Sequence, residues 1–259
     1  MDTWDDGDDY EDYMGRWSRP MASQFLEWLD VRSGARWLDI GCGTGVLAGA
    51  IAQRKRPARL AGIDPSPGFL QTASERVGGD ADFRVGDAQS LPFEDDEFDA
   101  AVSAVALNFV PDPGLAVREM QRVTADGGVV AAYVWDYADG MQMIRRFWDA
   151  AVALDPAAAN VDEAARFPIC RPGPLSEIFQ ASGLADVQVS ALEISTEFRN
   201  FSDYWEPMLG AQGPIPTYVA SLAEGERHRL ATQLEEALPT AAGGSISLIA
   251  RAWAVRGTS

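Results

Sequence analysis

Short apolar runs alternate with segments of helical spacing along the first half of this chain. Arg36–Ile40, Arg59–Asp64, Asp82–Val85, Asp99–Ala104 and Gly128–Val134 are brief, nearly continuous apolar stretches of the kind that form buried strands. Ahead of them, Ser18–Leu29 sets Met21, Phe25, Trp28 and Leu29 at helical spacing, behind a capping hydroxyl and Pro20, and predicts a helix that begins at Ser18. Strand followed by helix, repeated, predicts a parallel sheet with helices on both faces.

The rhythm breaks after Trp135. Residues 136–172, rich in Ala, Met, Phe and Trp, separate it from a helix at Gly173–Ser182 and a strand near Asp186–Ile194. A second helical excursion, 200–239, precedes a last strand at Ser245–Val255. The expected division is a core of 14–135, 173–199 and 240–259, with 136–172 and 200–239 as cap segments covering the substrate edge. No stretch approaches the ~20 apolar residues that span a bilayer. The start, Met1-Asp-Thr-Trp-Asp-Asp, lacks the basic and apolar features of a signal peptide, so a cytoplasmic location is expected.

Charge narrows the partners. Thirty-nine acidic against 21 basic side chains give a net charge of −18, which opposes a nucleic-acid backbone or an anionic membrane. Asp2, Asp5, Asp6, Asp8, Asp9, Glu11 and Asp12 crowd into residues 1–13, which read as a solvated, disordered acidic tail. Cys42 and Cys170 suggest neither a disulfide framework nor a metal centre. Oligomeric state is not written in the sequence.

Candidate chemistry concentrates in Asp39-Ile-Gly-Cys-Gly-Thr-Gly45, a carboxylate followed by three alternate glycines between a strand and a helix. Such a loop lets the backbone approach a ligand closely at a helix N-terminus. Gly43-Thr-Gly45-Val-Leu-Ala48, with Asp64 about 20 residues on, also satisfies a relaxed dinucleotide pattern, so a nicotinamide-dependent oxidoreductase is one reading. Asp39 opposes it, because a carboxylate beside a diphosphate repels, whereas a sulfonium and ammonium ligand such as S-adenosylmethionine is attracted. A non-catalytic module that only binds this ligand is a third reading.

Further segments share the order of one family. Trp37–Gly45, Gly62-Ile-Asp64-Pro-Ser66, Gly86-Asp87-Ala88, Phe98–Ser103 and Glu119–Gly128 together resemble the class I S-adenosylmethionine-dependent methyltransferases, in the type 11 branch similar to ubiquinone/menaquinone C-methyltransferases. The resemblance covers about Met14 to Asp136. It implies a Rossmann-like, seven-stranded, mostly parallel α/β sheet with a helical cap, an antiparallel seventh strand, and methyl transfer to a small molecule by in-line displacement.

The resemblance also implies roles. Gly41, Cys42, Gly43 and Gly45 would line the methionine portion of the cofactor while Asp39 helps to hold its ammonium. Asp64, followed by Pro65, would bind the ribose hydroxyls, with helix capping as the competing use of that acid. Asp87 and Ala88 would read the adenine, and Ser103 would touch the methionine portion. Many members carry two histidines after the fourth strand where this chain has Leu107-Asn108-Phe109, so a familiar base is missing. Tyr13, Trp17, Asn108, Trp135 and Tyr137 are acceptor-site candidates, and Asn108, Tyr13 and Tyr137 the candidates for a catalytic role. His228, the sole histidine, points away from the Leu230/Leu234/Leu238 stripe and is expected to face solvent. Phe147, Trp148, Phe167, Phe201, Tyr204 and Trp205 suggest an apolar or aromatic acceptor, or else hold the cap together.

Overall fold

The computed structural model describes residues 14–79, 81–210 and 213–259. Tyr13 and the acidic segment 1–13 therefore lie outside the described residues.

Seven strands form one sheet: β1 (Arg36–Ile40), β2 (Arg59–Asp64), β3 (Asp82–Val85), β4 (Phe98–Ala104), β5 (Thr124–Trp135), β6 (Ala185–Phe198) and β7 (Ile246–Thr258), in the order β3-β2-β1-β4-β5-β7-β6. The pairs β1–β2, β1–β4, β2–β3 and β4–β5 are all parallel. Direction reverses at β7. Gly127 and Gly128 bond to Ser259, whereas Asp136 bonds to Arg251, so β7 runs opposite to β5.

The helices are α1 (Arg16–Leu29), α2 (Val46–Lys55), α3 (Pro67–Val77), α4 (Pro113–Arg122), α5 (Gln142–Leu154), α6 (Glu163–Arg166), α7 (Pro172–Ala181), α8 (Phe201–Trp205), α9 (Pro214–Ser221) and α10 (Glu224–Ala237). From β1 the chain winds outward through α2, β2, α3 and β3, then returns to β4 on the other side of β1. Right-handed crossovers therefore put α2 and α3 on one face and α4 on the other, and α2 packs beside α3 as α4 does beside α7. The reversal between β1 and β4 is the place where open α/β sheets bind ligands.

The sequence boundaries need two corrections. Helix α1 starts at Arg16, so Ser18 does not cap it and Pro20 lies inside it. Strand β5 starts at Thr124: the chain loops out between the pairs Phe98–Thr124 and Ala100–Val129, and the glycines there hide a strand that resumes beyond them.

Two compact units divide the chain. The core unit holds 18–134, 169–192 and 253–259; the accessory unit holds 135–168, 193–252 and the described residues up to Trp17. The core unit is built on Trp37, Phe25, Phe98 and Val102, all with no exposed surface, and Phe25 meets Tyr133 edge-on at 4.9 Å.

The accessory unit has its own core. Phe147 and Trp148 are wholly buried, cross at 5.1 Å and both meet Tyr218. Tyr204 is also wholly buried, donates its hydroxyl to the Met143 carbonyl at 2.9 Å and packs on Phe198 and Phe201. These aromatics thus spend much of their apolar surface holding this unit together. Arg251 closes on the buried Asp136 at 2.8 Å. On α10, Leu230 and Leu234 are buried and His228 is exposed, as the helical spacing requires. No helix among the described residues is long and apolar enough to cross a membrane.

Candidate active site

Strands β1 and β2 end side by side in register, Asp39 with Gly62 and Ile40 with Ile63. The turn after β1 follows its neighbour, as the Cys42 N–H bonds to the Ile63 carbonyl at 2.9 Å. The glycines here have different duties. Gly41 has φ +67°, and a Cβ there would stand 2.3 Å from the Ala106 Cβ. Its lack of a side chain lets the segment after β4 pack against the turn. Gly43 has φ +52°, but a Cβ there would meet nothing within 4 Å, so the space before it is open. Gly45 then caps α2, its N–H bonded to the Cys42 carbonyl.

Asp64 ties this turn to β2. Its Oδ2 accepts the Gly43 N–H and its Oδ1 the Ser66 N–H, each at 2.9 Å. The cap of α3 is Ser66, whose Oγ accepts the Phe69 N–H at 3.3 Å, so Asp64 is not spent on capping. Each carboxylate oxygen has a second lone pair, which leaves capacity for two hydroxyl donors. Burial raises the pKa of Asp64 above the ordinary carboxylate value, opposed by the Ser66 and Gly43 amides. Pro65 is exposed beside it.

Asp39 has no such partners. It is wholly buried, and neither oxygen makes a hydrogen bond. Burial pushes its pKa up to about 7; the nearby Ala48 amide lowers it in part and the Asp64 charge raises it. Burial and these two acids also push the Cys42 thiol well above its usual range, so Cys42 is an inert neighbour rather than a nucleophile.

Beyond β3, Asp87 is exposed and accepts from the Gln89 N–H at 2.9 Å and the Gln89 amide at 3.2 Å, while Gln89 accepts the Asp112 N–H at 3.1 Å. Asp87 thus shapes its own turn, and Ala88 beside it is half-buried. At the end of β4, Ser103 stands in register with Ile40, buried, its hydroxyl without a partner. The chain then turns through Val105 at φ +56°, a left-handed conformation that a β-branched residue adopts only under strain. Ala106 follows against Gly41, and Asn108, in the short 3-10 turn Leu107–Phe109, is buried with both amide atoms unpaired.

The core unit thereby gathers Asp39, Gly41, Cys42, Gly43, Gly45 and Asp64 at two adjoining strand ends, with Ser103 and Asn108 following the third. Trp17, Trp135 and Tyr137 belong to the accessory unit and are buried there. Trp17 meets Phe198 at 5.2 Å beneath the Arg16 guanidinium, and Tyr137 lies 5.9 Å from Phe167. Sequence reasoning missed Val105 and the two amides on Asp64. It also missed Glu163, buried in the accessory unit and bonded to the Trp148 indole N–H, with its pKa pushed to about 7 by burial. No spacing motif links residues 148 and 163.

The arrangement fits a cationic nucleoside. An unpartnered buried carboxylate favours positive charge, open space before Gly43 admits a ligand to the backbone, and a second carboxylate retains free lone pairs. A diphosphate would face Asp39 with like charge wherever that acid is ionised, and would oppose its ionisation.

Residues 38–132 match the family model described as a methyltransferase domain. The chain is 31% identical over 211 residues to a 37.1 kDa transposon protein of Streptomyces fradiae, covering 75% of this chain and 61% of that protein. It is 37% identical over 105 residues to a Staphylococcus aureus demethylmenaquinone methyltransferase, covering 39% and 44%. Among solved structures, the Haemonchus contortus phosphoethanolamine N-methyltransferase 2 in complex with S-adenosyl-L-methionine superimposes with a TM-score of 0.61 at 18% identity, over 97% of this chain and 57% of that one. The chain spans less than two thirds of the length of these relatives. Over segment 38–132 the chain is thus similar to the methyltransferase domain family.

Proposed function

We propose that this chain transfers the methyl group of S-adenosylmethionine to a small-molecule acceptor. The observation that carries the reading is the buried, unpartnered Asp39 carboxyl at the switch point of a methyltransferase sheet. When bound, the cofactor supplies a methyl group made electrophilic by its sulfonium. The chain's own work is to bind, orient and keep water out.

In this reading Asp39 answers the ligand's ammonium, and the open backbone at Gly43 with Gly41, Cys42 and Gly45 borders its amino-acid portion. Asp64, with Pro65 beside it, receives the ribose hydroxyls on its free lone pairs. Asp87 and Ala88 read the adenine, and Ser103 offers its unpaired hydroxyl. Asn108 orients the acceptor: its amide can donate and accept, but it takes no proton near neutral pH, so the acceptor must be nucleophilic already or lose its proton to solvent. Trp17, Trp135 and Tyr137 remain acceptor-site candidates, and segments 136–172 and 200–239 are assigned to substrate covering.

The acceptor we favour is a small aromatic or quinol-like compound, supported by the likeness to a demethylmenaquinone methyltransferase. A cytoplasmic location belongs to the same reading, supported by the low cysteine content, two in 259 residues.

The test is incubation with methyl-labelled S-adenosylmethionine and a panel of phenols and quinols, followed by product analysis. Label in an acceptor, with S-adenosylhomocysteine in equal amount, is expected. Cofactor binding with no label transferred to any acceptor would favour a module that binds without turnover.

A further inference from the structure

A carboxyl group wholly removed from water, with no close hydrogen bond to either oxygen, is poorly stabilised as an anion. Asp39 is in this state. The groups around it do not correct it. From β2 comes Asp64, of the same sign, whose oxygens are already turned to the Gly43 and Ser66 amides. From the turn comes Cys42, held as a neutral thiol. From α2 comes only the Ala48 amide, and from β4 the register partner is the apolar Val102. No cation among the described residues offsets the charge.

We propose that Asp39 is the charge-selecting residue of this site: it holds a proton while the site is empty, and releases it to solvent when an ammonium-bearing nucleoside binds. The proposal rests on the cofactor reading above and adds to it a rule of selection. A ligand with an ammonium group replaces the proton and recovers a Coulomb attraction that is strong at low local dielectric. A thionucleoside without one, such as 5′-methylthioadenosine, has nothing to exchange. The position of the Asp39 titration, at about 7, places the exchange within reach of experiment.

Linkage fixes the sign. Bound S-adenosylhomocysteine needs the anion, so affinity rises with pH until Asp39 is ionised in the empty protein, by about sixfold between about pH 6 and about pH 7.5 after the ligand's own amine is counted. The ligand's own amino group titrates near pH ~8, which sets the upper end of this window.

The experiment is calorimetric titration of the full chain with S-adenosylhomocysteine and with 5′-methylthioadenosine, in phosphate and in imidazole, whose ionisation heats differ. With S-adenosylhomocysteine, close to one proton should be released per site near pH ~6 and close to none, net, near pH ~7.5, where the ligand's amine takes up about as much as Asp39 gives. With 5′-methylthioadenosine none should be released, and its affinity should not depend on pH. Asp39→Asn should abolish both the proton release and the pH slope. S-adenosylhomocysteine that binds near pH ~6 without releasing a proton would overturn the proposal while leaving the cofactor reading intact. Failure of both ligands to bind would overturn the cofactor reading and the proposal with it.

Discussion

Asp64 accepts the Gly43 N–H at 2.9 Å, joining the end of β2 to the turn that follows β1. Its other oxygen holds the Ser66 N–H at the same distance, ahead of α3. The acid proposed for the ribose is therefore also the strut of the turn after β1, and in that proposal the two duties share one side chain.

Asp64→Ala should accordingly lose more than ligand contacts. Two amides are left without acceptors, so a stability loss of about 1–3 kcal/mol is expected in urea unfolding, with weaker binding of S-adenosylmethionine. Asp64→Asn keeps an acceptor for one amide and should fall between Ala and the native residue in both measurements. Unchanged stability in the Ala variant would remove the strut.

Gly41 and Gly43 should respond differently to alanine. Both sit at positive φ, a strain of about 1–2 kcal/mol for a residue with a Cβ. Only at Gly41 does the new methyl collide, with Ala106, which adds about 1–3 kcal/mol of overpacking. Chemical unfolding should rank Gly41→Ala well below Gly43→Ala in stability, while Gly43→Ala should weaken the ligand by filling open space. Equal stability losses would contradict the contact.

Asn108 should show stability and activity moving apart. Its amide is buried and unpaired in the free protein, so Asn108→Leu should hold or raise the melting temperature. Acceptor turnover should fall about tenfold or more, with cofactor affinity nearly unchanged, if the amide orients the acceptor. A loss of cofactor affinity equal to the loss of turnover would move Asn108 out of the acceptor role.

Glu163 gives a pH signature in stability. Its pKa is raised from 4.5 to about 7 by burial, against the lowering effect of the Trp148 indole. The folded state then binds a proton that the unfolded state has released between those values, so this group's contribution falls as pH rises through the window, at up to about 1.4 kcal/mol per pH unit. Glu163→Gln should lack that slope, and its stability relative to the native chain should improve from about pH 5 to about pH 7 in denaturant titrations. A constant difference across that range would place the titration elsewhere.

Much of this was legible in the sequence because it rests on local pattern. β1, β2 and β3 have the boundaries their apolar runs gave, and the spacing of Asp39, Asp64 and Asp87 puts each within two residues of a strand end. What was not legible depends on contacts distant in the chain. No local rule says that Asp64 will find the Gly43 amide 21 residues away, or that the Trp148 indole will meet Glu163. Ser18 and Pro20 carry true helix-start chemistry, yet burial of Met14 and Trp17 favours continuing the helix to Arg16. Gly127 and Gly128 read as a turn, and they are one, inside a strand that begins before it. Asp87 keeps its expected place but is occupied with Gln89, a turn use that its residue type always allowed.

The central claim is that Asp39 and the turn beside it form a site for a cationic nucleoside rather than a diphosphate. Parallel calorimetric titration with S-adenosylmethionine, S-adenosylhomocysteine and NADH tests it most directly. Saturable binding of the first two with no heat from NADH is the expected result. Binding of NADH alone would contradict the reading of Asp39 and the function built on it.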